Sequence, residues 1–391
     1  MARSTLFRPL EIRDLTLKNR VVISPMCQYS AKGGLANDWH LTHLNQFAMG
    51  GAGLVIAEAT AVTETGRITH GDLGLWSDAH MEPLRPVVEQ VKARGAAVGI
   101  QLAHAGRKAS ISRPWEGDCP LSEREIAKGE LPWETVGPSP VPFDEGWIVP
   151  HELSLTGIAE IIEAWCAAAK RAERLGFDMI EIHSAHGYLS HSFLSPLSNR
   201  RGDRYGGSLA NRMRFTLELA EAVRAVWPAE KPLFLRQSCV DGKRDGWAIE
   251  DAIALSKALK ALGVDVIDCS SGGIAAYGEN SLPPATPGYQ VAHAAAIRRE
   301  VEMMTMAVGL IVDPGQAETI LRSGAADLTA LAREVLHNPY WPRHAAQALG
   351  EPDAFADWPI QYGHWLGLRA QGMFGARAGD SDSEALKAAD G

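Results

Sequence analysis

The stretch DMIEIHSAHGYLSHSFL (178–194) decides the fold, because a β-rich run, DMIEIHS, breaks off into a cluster of proton-exchanging side chains, His183, His186, Tyr188 and His191. Immediately upstream the period changes. Leu155, Ile158, Ile161, Ile162, Trp165 and Leu175 fall on one stripe at three- and four-residue steps, with Glu160, Glu163, Lys170 and Arg174 on the other side, the signature of an amphipathic helix. The same helix and strand alternation runs along the chain. Strand-like runs recur as RVVIS (20–24), GLVIAEA (53–59), AVGIQLA (97–103), DMIEIHS (178–184), LFLRQS (233–238), VDVIDCS (264–270), TMAVGL (305–310) and DLTALAR (327–333).

Strand then helix, about eight times over, predicts an α/β protein of the (β/α)8 TIM-barrel class, since parallel strands need helical crossovers. An open doubly wound sheet is the competing fold, but no G-x-G-x-x-G follows any of these runs. Inside a barrel, residues alternate in and out, so Met179, Glu181 and His183 are expected on the inner face, and Ile180 and Ile182 against the helices. The chain reads as one barrel domain over residues 1–368. From 104 to 153 the pattern lapses into a Pro- and Trp-rich insertion after the third strand, expected at the barrel mouth as a lid. Residues 369–391 have little to bury and are expected to be a disordered tail.

Composition narrows the function classes. The 391 residues carry a net charge of -9, so the surface as a whole repels phosphate backbones and nucleic acid is not an expected partner. No long apolar run suggests a membrane span, and the N-terminus lacks a signal-peptide pattern, which makes the cytoplasm the expected location. The five cysteines, Cys27, Cys119, Cys166, Cys239 and Cys269, are scattered and read as reduced thiols.

In a barrel of this kind, reactive residues gather where strands end at the carboxyl face. The strand ends supply Ser24-Pro25-Met26-Cys27, Glu58-Ala59, Gln101, His183, Arg236, Ser270-Ser271-Gly272-Gly273, Gly309 and Arg333. His183 and His186 only loosely resemble a zinc pair: the eighth strand ends in Ala332-Arg333 and the first carries no H-x-H, so no metal is expected and a metal-dependent barrel hydrolase is the alternative reading. Satisfied structural histidines are the other alternative. A flavin fits the mixture better. A reduced isoalloxazine carries negative charge at N1 and C2=O, which a guanidinium and an amide, Arg236 and Gln101, suit, and the Gly309 turn with Arg333 suits a phosphate near the last two strands.

On a wider set of motifs the chain resembles the old yellow enzyme family of FMN-dependent ene-reductases, on the bacterial branch similar to xenobiotic reductase A. The resemblance runs from about Phe7 to Trp365 and rests on SPMCQYSA (24–31), NDWHLTHL (37–44), EATAV…GRI (58–68), QLAHAGRKAS (101–110), RPWEGD (113–118), HSAHGYLSHSFLSPLSNRR…YGGS (183–208), VIDCSSGG (266–273) and NPYWP (338–342). It implies FMN as cofactor and NADPH or NADH as reductant, with an activated alkene as the small-molecule substrate, or a quinone or nitro compound. Ser24, Pro25, Met26 and Cys27 would line the flavin ring, with Cys27 tuning its potential. Ala59, Gln101 and Arg236 would contact the ring, and Gly309, Ala332 and Arg333 the phosphate. His183 and His186 would donate to the substrate carbonyl, Tyr188 would protonate the α-carbon after hydride transfer from flavin N5, and Tyr29 would face the substrate. Many relatives have Gly where Ala332 stands, and an arginine reaching a neighbouring subunit near QYGHWL, a place that Trp365 would take. A homo-oligomer, dimer or tetramer, is implied. His191 reads as structural.

Overall fold

The computed structural model describes residues 3–276, 286–352 and 355–372. Eight parallel strands close into a barrel: β1 (Val21–Ile23), β2 (Leu54–Ala61), β3 (Ala97–Ala103), β4 (Met179–Ser184), β5 (Leu233–Ser238), β6 (Val266–Ser270), β7 (Met304–Val308) and β8 (Leu328–Leu331). Neighbours in sequence are neighbours in the sheet, and β8 pairs β1 to complete the ring. The helices that follow the strands in turn are α1 (Asp38–Met49), α2 (Met81–Ala93), α3 (Leu155–Leu175), α4 (Leu209–Val226), α5 (Ile249–Ala261), α6 (Val291–Val301), α7 (Pro314–Arg322) and α8 (Trp341–Ala348). The expected (β/α)8 barrel is therefore formed. Expected and observed strands match over 97–103 and 233–238 and differ by one to three residues elsewhere.

Helix α3 shows how the sequence writes its own ends. Ser154 caps it by accepting from the Gly157 N–H, and Gly176 closes it in the left-handed conformation that glycine adopts without strain. Its stripe buries Ile158, Ile161, Trp165 and Leu175, with Ala168, Ala169 and Ala172 filling between them. Leu155, expected on that stripe, is instead exposed at the first turn, before the helix reaches the barrel wall.

Strand β4 alternates as expected. Ile180 and Ile182 join the apolar layer between barrel and helices, whereas Met179 belongs to a second cluster inside the barrel with Leu54, Ile56, Phe234, Val266 and Met306. A short N-terminal hairpin, Leu10–Ile12 with Leu15–Leu17, plugs that floor with Ile12 and Leu17. Arg13, at its turn, donates Nε to both Asp265 carboxylate oxygens at 2.8 Å. Each inward residue up β4 lies about 6.6 Å nearer the mouth. The interior thus passes from apolar Met179 through Glu181 to His183.

One strand end moves. β2 continues to Ala61, so Glu58 and Ala59 sit inside it, at a register shift between Ala57 and Ala59. There Glu58 accepts from the Gln28 N–H at 2.9 Å and lies 3.5 Å from His40 Nε2, tying the 24–31 loop to α1.

The 104–153 segment carries turns, a four-residue helix and the short parallel pair Val136–Gly137 with His151–Glu152. It is pinned over the mouth. Arg113 pairs with Glu130 at 2.7 Å and donates Nε to the Tyr29 carbonyl, and the Trp133 indole donates to Thr65 O and covers the Arg67 guanidinium. Residues 360–372 are helical and run across the boundary expected at 369; residues 373–391, the rest of the expected tail, lie outside the described residues. Among the described residues no helix is long and apolar enough to cross a membrane.

Leu17→Ala should open a cavity in the barrel floor and cost about 2–5 kcal/mol, read as a fall in the urea midpoint. An unchanged midpoint would show that the hairpin does not seal the floor.

Candidate active site

After Ser184 the chain turns sharply, with positive φ at His186 (60°) and Gly187 (76°). The turn is held from several sides: the His186 N–H donates to Ser238 Oγ at 2.9 Å, Ser238 Oγ donates to Gly272 O, and Lys108 Nζ donates to the His186 carbonyl at 3.0 Å. Gly187 and Gly273 let this turn touch the one after β6. A Cβ on Gly187 would sit 2.1 Å from the Gly273 carbonyl oxygen, and one on Gly273 would sit 2.5 Å from the His186 Cα. His191, read as structural, is so placed: Nδ1 accepts from the Gly187 N–H, and Nε2 lies 2.9 Å from Asp241 Oδ1, both side chains fully buried.

This packing brings the functional rings together. His183 and His186 meet edge to face at 5.2 Å between centroids, and His183 meets Tyr188 at 4.9 Å. Burial, reinforced by the Arg236 charge, holds both imidazoles well below their ordinary pKa, so they are neutral. A neutral imidazole has one N–H. His183 Nδ1 accepts from the Ala185 N–H at 3.2 Å, which leaves the proton on Nε2 as a donor. His186 Nε2 is 2.7 Å from Ser270 Oγ, which in turn donates to Gln290 Oε1 at 3.3 Å.

Facing them, Cys27, Tyr29 and Tyr188 pack on one small cluster with Ile68, Ala105, Ala109 and Ile111. Burial pushes the Cys27 thiol up, with Glu58 adding to the effect, so it is not a thiolate. Burial also raises both phenols, and Tyr188 stays protonated. Tyr29 holds a positive φ of 49°, and its carbonyl accepts from Arg113 Nε of the 104–153 segment.

On the other side of the mouth, a cavity of about 460 Å³ is lined by His186, Arg236, Ser270, Gly309, Ala332 and Arg333. The Ser24 N–H donates to Leu331 O at 2.9 Å, which sets the start of Ser24-Pro25-Met26-Cys27 beside Ala332-Arg333. Ser24 Oγ is buried with no hydrogen-bond partner among the described residues, as a group meant for a bound molecule would be. Ala59 and Gln101 are paired in register across β2 and β3, both buried, and Gln101 Nε2 donates to Glu181 Oε1. An orphaned hydroxyl, a guanidinium at the cavity wall and an exposed arginine at its far end suit a flat polar ring carrying a phosphate. Trp365 is not in this group: it is 68% exposed on the helical 360–372 segment, its ring edge-on to His364. Among the described residues, no three His, Cys, Asp or Glu side chains converge as a metal site.

Fold and site define a barrel oxidoreductase that works with a flavin nucleotide. A family model, NADH:flavin oxidoreductase / NADH oxidase, matches residues 5–351, and the chain belongs to that FMN-dependent family, of the old yellow enzyme type. It is 48% identical over 351 residues to an NADPH dehydrogenase of Geobacillus sp. (strain WCH70), covering 88% of this chain and 94% of that one. It is 46% identical to an NADPH dehydrogenase of Bacillus subtilis (strain 168), covering 93% and 99%. Among solved structures, morphinone reductase superposes with a TM-score of 0.73 at 27% identity, covering 92% and 96%.

Sequence reasoning passed over several residues of the mouth. Lys108 is an ammonium pushed down to about 8 by burial, lying 4.4 Å above the Phe143 ring while it grips the His186 carbonyl. Gln290 comes from a segment with no strand signal. Asp268 was legible: it lies opposite Arg236 in register and shares its inward face by the period of two.

His104, at the end of β3, is fully enclosed and held down to about 4 by burial. Between about pH 6.5, where an unfolded histidine titrates, and about 4, unfolding takes up a proton at this residue. Its contribution is therefore full above 6.5 and is lost as pH falls. His104→Gln should flatten the acid limb of stability against pH by about 1.4 kcal/mol per pH unit in that window, measured by urea unfolding. Parallel limbs for both proteins would contradict a neutral buried His104.

Proposed function

We propose that the protein is an NADPH-driven ene-reductase that saturates the C=C bond of α,β-unsaturated carbonyl compounds. The observation that carries this reading is the edge-to-face group of two neutral imidazoles and one protonated phenol in a single mouth. The names of the curated relatives support NADPH as the reductant. Bound FMN supplies hydride at N5. Arg236 and Gln101 would hold its pyrimidine ring, Gly309, Ala332 and Arg333 would take the phosphate, and Ser24, Pro25, Met26, Ala59 and the uncharged thiol of Cys27 would line the ring.

Within this frame the residues of the chain divide the work. His183 donates its Nε2–H to the substrate oxygen, and His186 joins it by exchanging Ser270 for that oxygen. Their hydrogen bonds strengthen as charge develops on the oxygen, which draws electron density from the β-carbon. Tyr188 would place a proton on the α-carbon of the alkene that receives hydride at its β-carbon, and the phenolate left behind would be reprotonated from solvent. Tyr29 bounds the substrate on the lid side, where Arg113 fixes its backbone. The Tyr188 phenol is protonated at neutral pH, as a free phenol is and as burial keeps it, and so is available as the donor.

The protein also assembles with its own copies in this reading. Ile360, Trp365 and Leu368 are exposed on one terminal helical segment, a surface that a second subunit would cover, with Trp365 reaching toward a neighbouring mouth.

His183→Ala should bind FMN normally and accept hydride from NADPH at a near-native rate, yet reduce cyclohexenone about 10²–10³-fold more slowly, the loss of one oxyanion donor. Tyr188→Phe should slow only the alkene step. Stopped-flow measurement of the two half-reactions separates them. Equal losses in both would overturn the assignment, and turnover of quinones or nitro compounds with none of enones would replace the substrate class.

A further inference from the structure

Below the mouth, the barrel interior holds a charged layer that the catalytic reading does not use. Gln101 on β3, Glu181 on β4, Arg236 on β5 and Asp268 on β6 all point inward. Register fixes their order: Gln101 lies opposite Glu181, and Arg236 opposite Asp268. Glu181 and Asp268 have no exposed surface at all. Arg236 Nε is 3.0 Å from Asp268 Oδ2, and Gln101 Nε2 donates to Glu181 Oε1 at 2.8 Å. Glu181 Oε2 and Asp268 Oδ1 find no hydrogen-bond donor among the described residues, and Asp268 Oδ2 meets Arg236 Nε as an ion pair without an aligned hydrogen bond.

Two carboxylates and one guanidinium in a dry interior are not an indifferent arrangement. Ionised carboxylates are costly there unless a cation answers them, and the layer has one. Asp268 has Arg236 beside it. Glu181 has only a neutral amide, and burial with the nearby Asp268 raises it to about 8, so at neutral pH it keeps its proton. Burial raises Asp268 as well, but the Arg236 guanidinium 3.0 Å away opposes that rise, so the negative charge of the layer belongs on Asp268 and the proton on Glu181, with Arg236 on the side of the cavity.

We propose that Asp268 and Glu181 are positioning residues for the flavin-facing pair: Asp268 anchors and part-neutralises Arg236, Glu181 orients the Gln101 amide, and together they set the reduction potential of the bound FMN. The inference rests on Arg236 and Gln101 facing the FMN. Removing the Asp268 charge leaves Arg236 uncompensated, and a more positive field favours the reduced ring, which carries negative charge at N1. Ionising Glu181 does the reverse. The ionisable groups that face Glu181 are Asp268 on β6 and Arg236 on β5, with Gln101 neutral on β3, apolar Phe234 opposite in register on β5 and Met179 below.

The test is the midpoint potential of the FMN holoenzyme, by dye equilibration, for wild type, Asp268→Asn, Glu181→Gln and Arg236→Leu. Asp268→Asn should favour reduced over oxidised FMN about tenfold, a rise of about 30 mV for a two-electron couple. Arg236→Leu should lower the potential. Wild type and Glu181→Gln should coincide near neutrality and separate above about pH 8, the wild type falling further as Glu181 ionises. If Arg236→Leu lowers the potential and Asp268→Asn leaves it unchanged or lowers it, the role of Asp268 is overturned while the flavin placement stands. If neither moves it, the placement of Arg236 falls as well. Should Asp268→Asn fail to fold, the pH comparison decides: parallel curves for wild type and Glu181→Gln from pH 6 to 9.5 overturn the proposal.

Discussion

Closing eight parallel strands into a ring forces every second residue of each strand into an interior that water does not reach, and the rest of the structure depends on how that interior is filled. At the floor it is filled by Leu54, Ile56, Met179, Phe234 and Met306, sealed by the hairpin. Higher up, Gln101, Glu181, Arg236 and Asp268 have mainly one another as partners. At the rim stand His183 and the turns after β4 and β6. The site is thus the top of a polarity gradient built into strand alternation, and its chemistry follows from desolvation.

Desolvation decides the protonation states on which the proposed reaction rests. Imidazoles free to charge would be cationic in mildly acidic water, and here burial and the nearby Arg236 keep them neutral, each with one N–H to give. The same dryness keeps Tyr188 a phenol and Cys27 a thiol, the forms both also hold in neutral water, to higher pH. One physical cause therefore favours, in all four side chains, the uncharged form that the proposed reaction needs. The 104–153 segment, locked by Arg113 to Glu130 and to the Tyr29 carbonyl, helps maintain it.

The barrel was legible in the sequence because its signals are local: the period of two in DMIEIHS and the three- and four-residue stripe of α3. Positions at strand ends were legible for the same reason, and the motif resemblance gave them roles. What local patterns could not show is where distant turns meet. The contacts of Lys108 with the His186 carbonyl, of His186 with Ser270, and of Gln290 with Ser270 join segments far apart in the chain. Glu58 was misread as a strand end because a register shift extends β2 past it. Leu155 shows the limit of periodicity: it keeps the stripe's spacing but lies beyond the surface that the stripe covers.

The central claim is that this mouth is shaped to hold an FMN, with the guanidinium of Arg236 at one end and that of Arg333 at the other. Titration of the apoprotein with FMN, followed by flavin fluorescence and absorbance, tests it most directly. The account predicts saturation at one FMN per chain, with binding weakened when Arg236 and Arg333 are both replaced by Leu. A protein that stays colourless at excess FMN, or a doubly substituted chain that binds as tightly as the wild type, would contradict it.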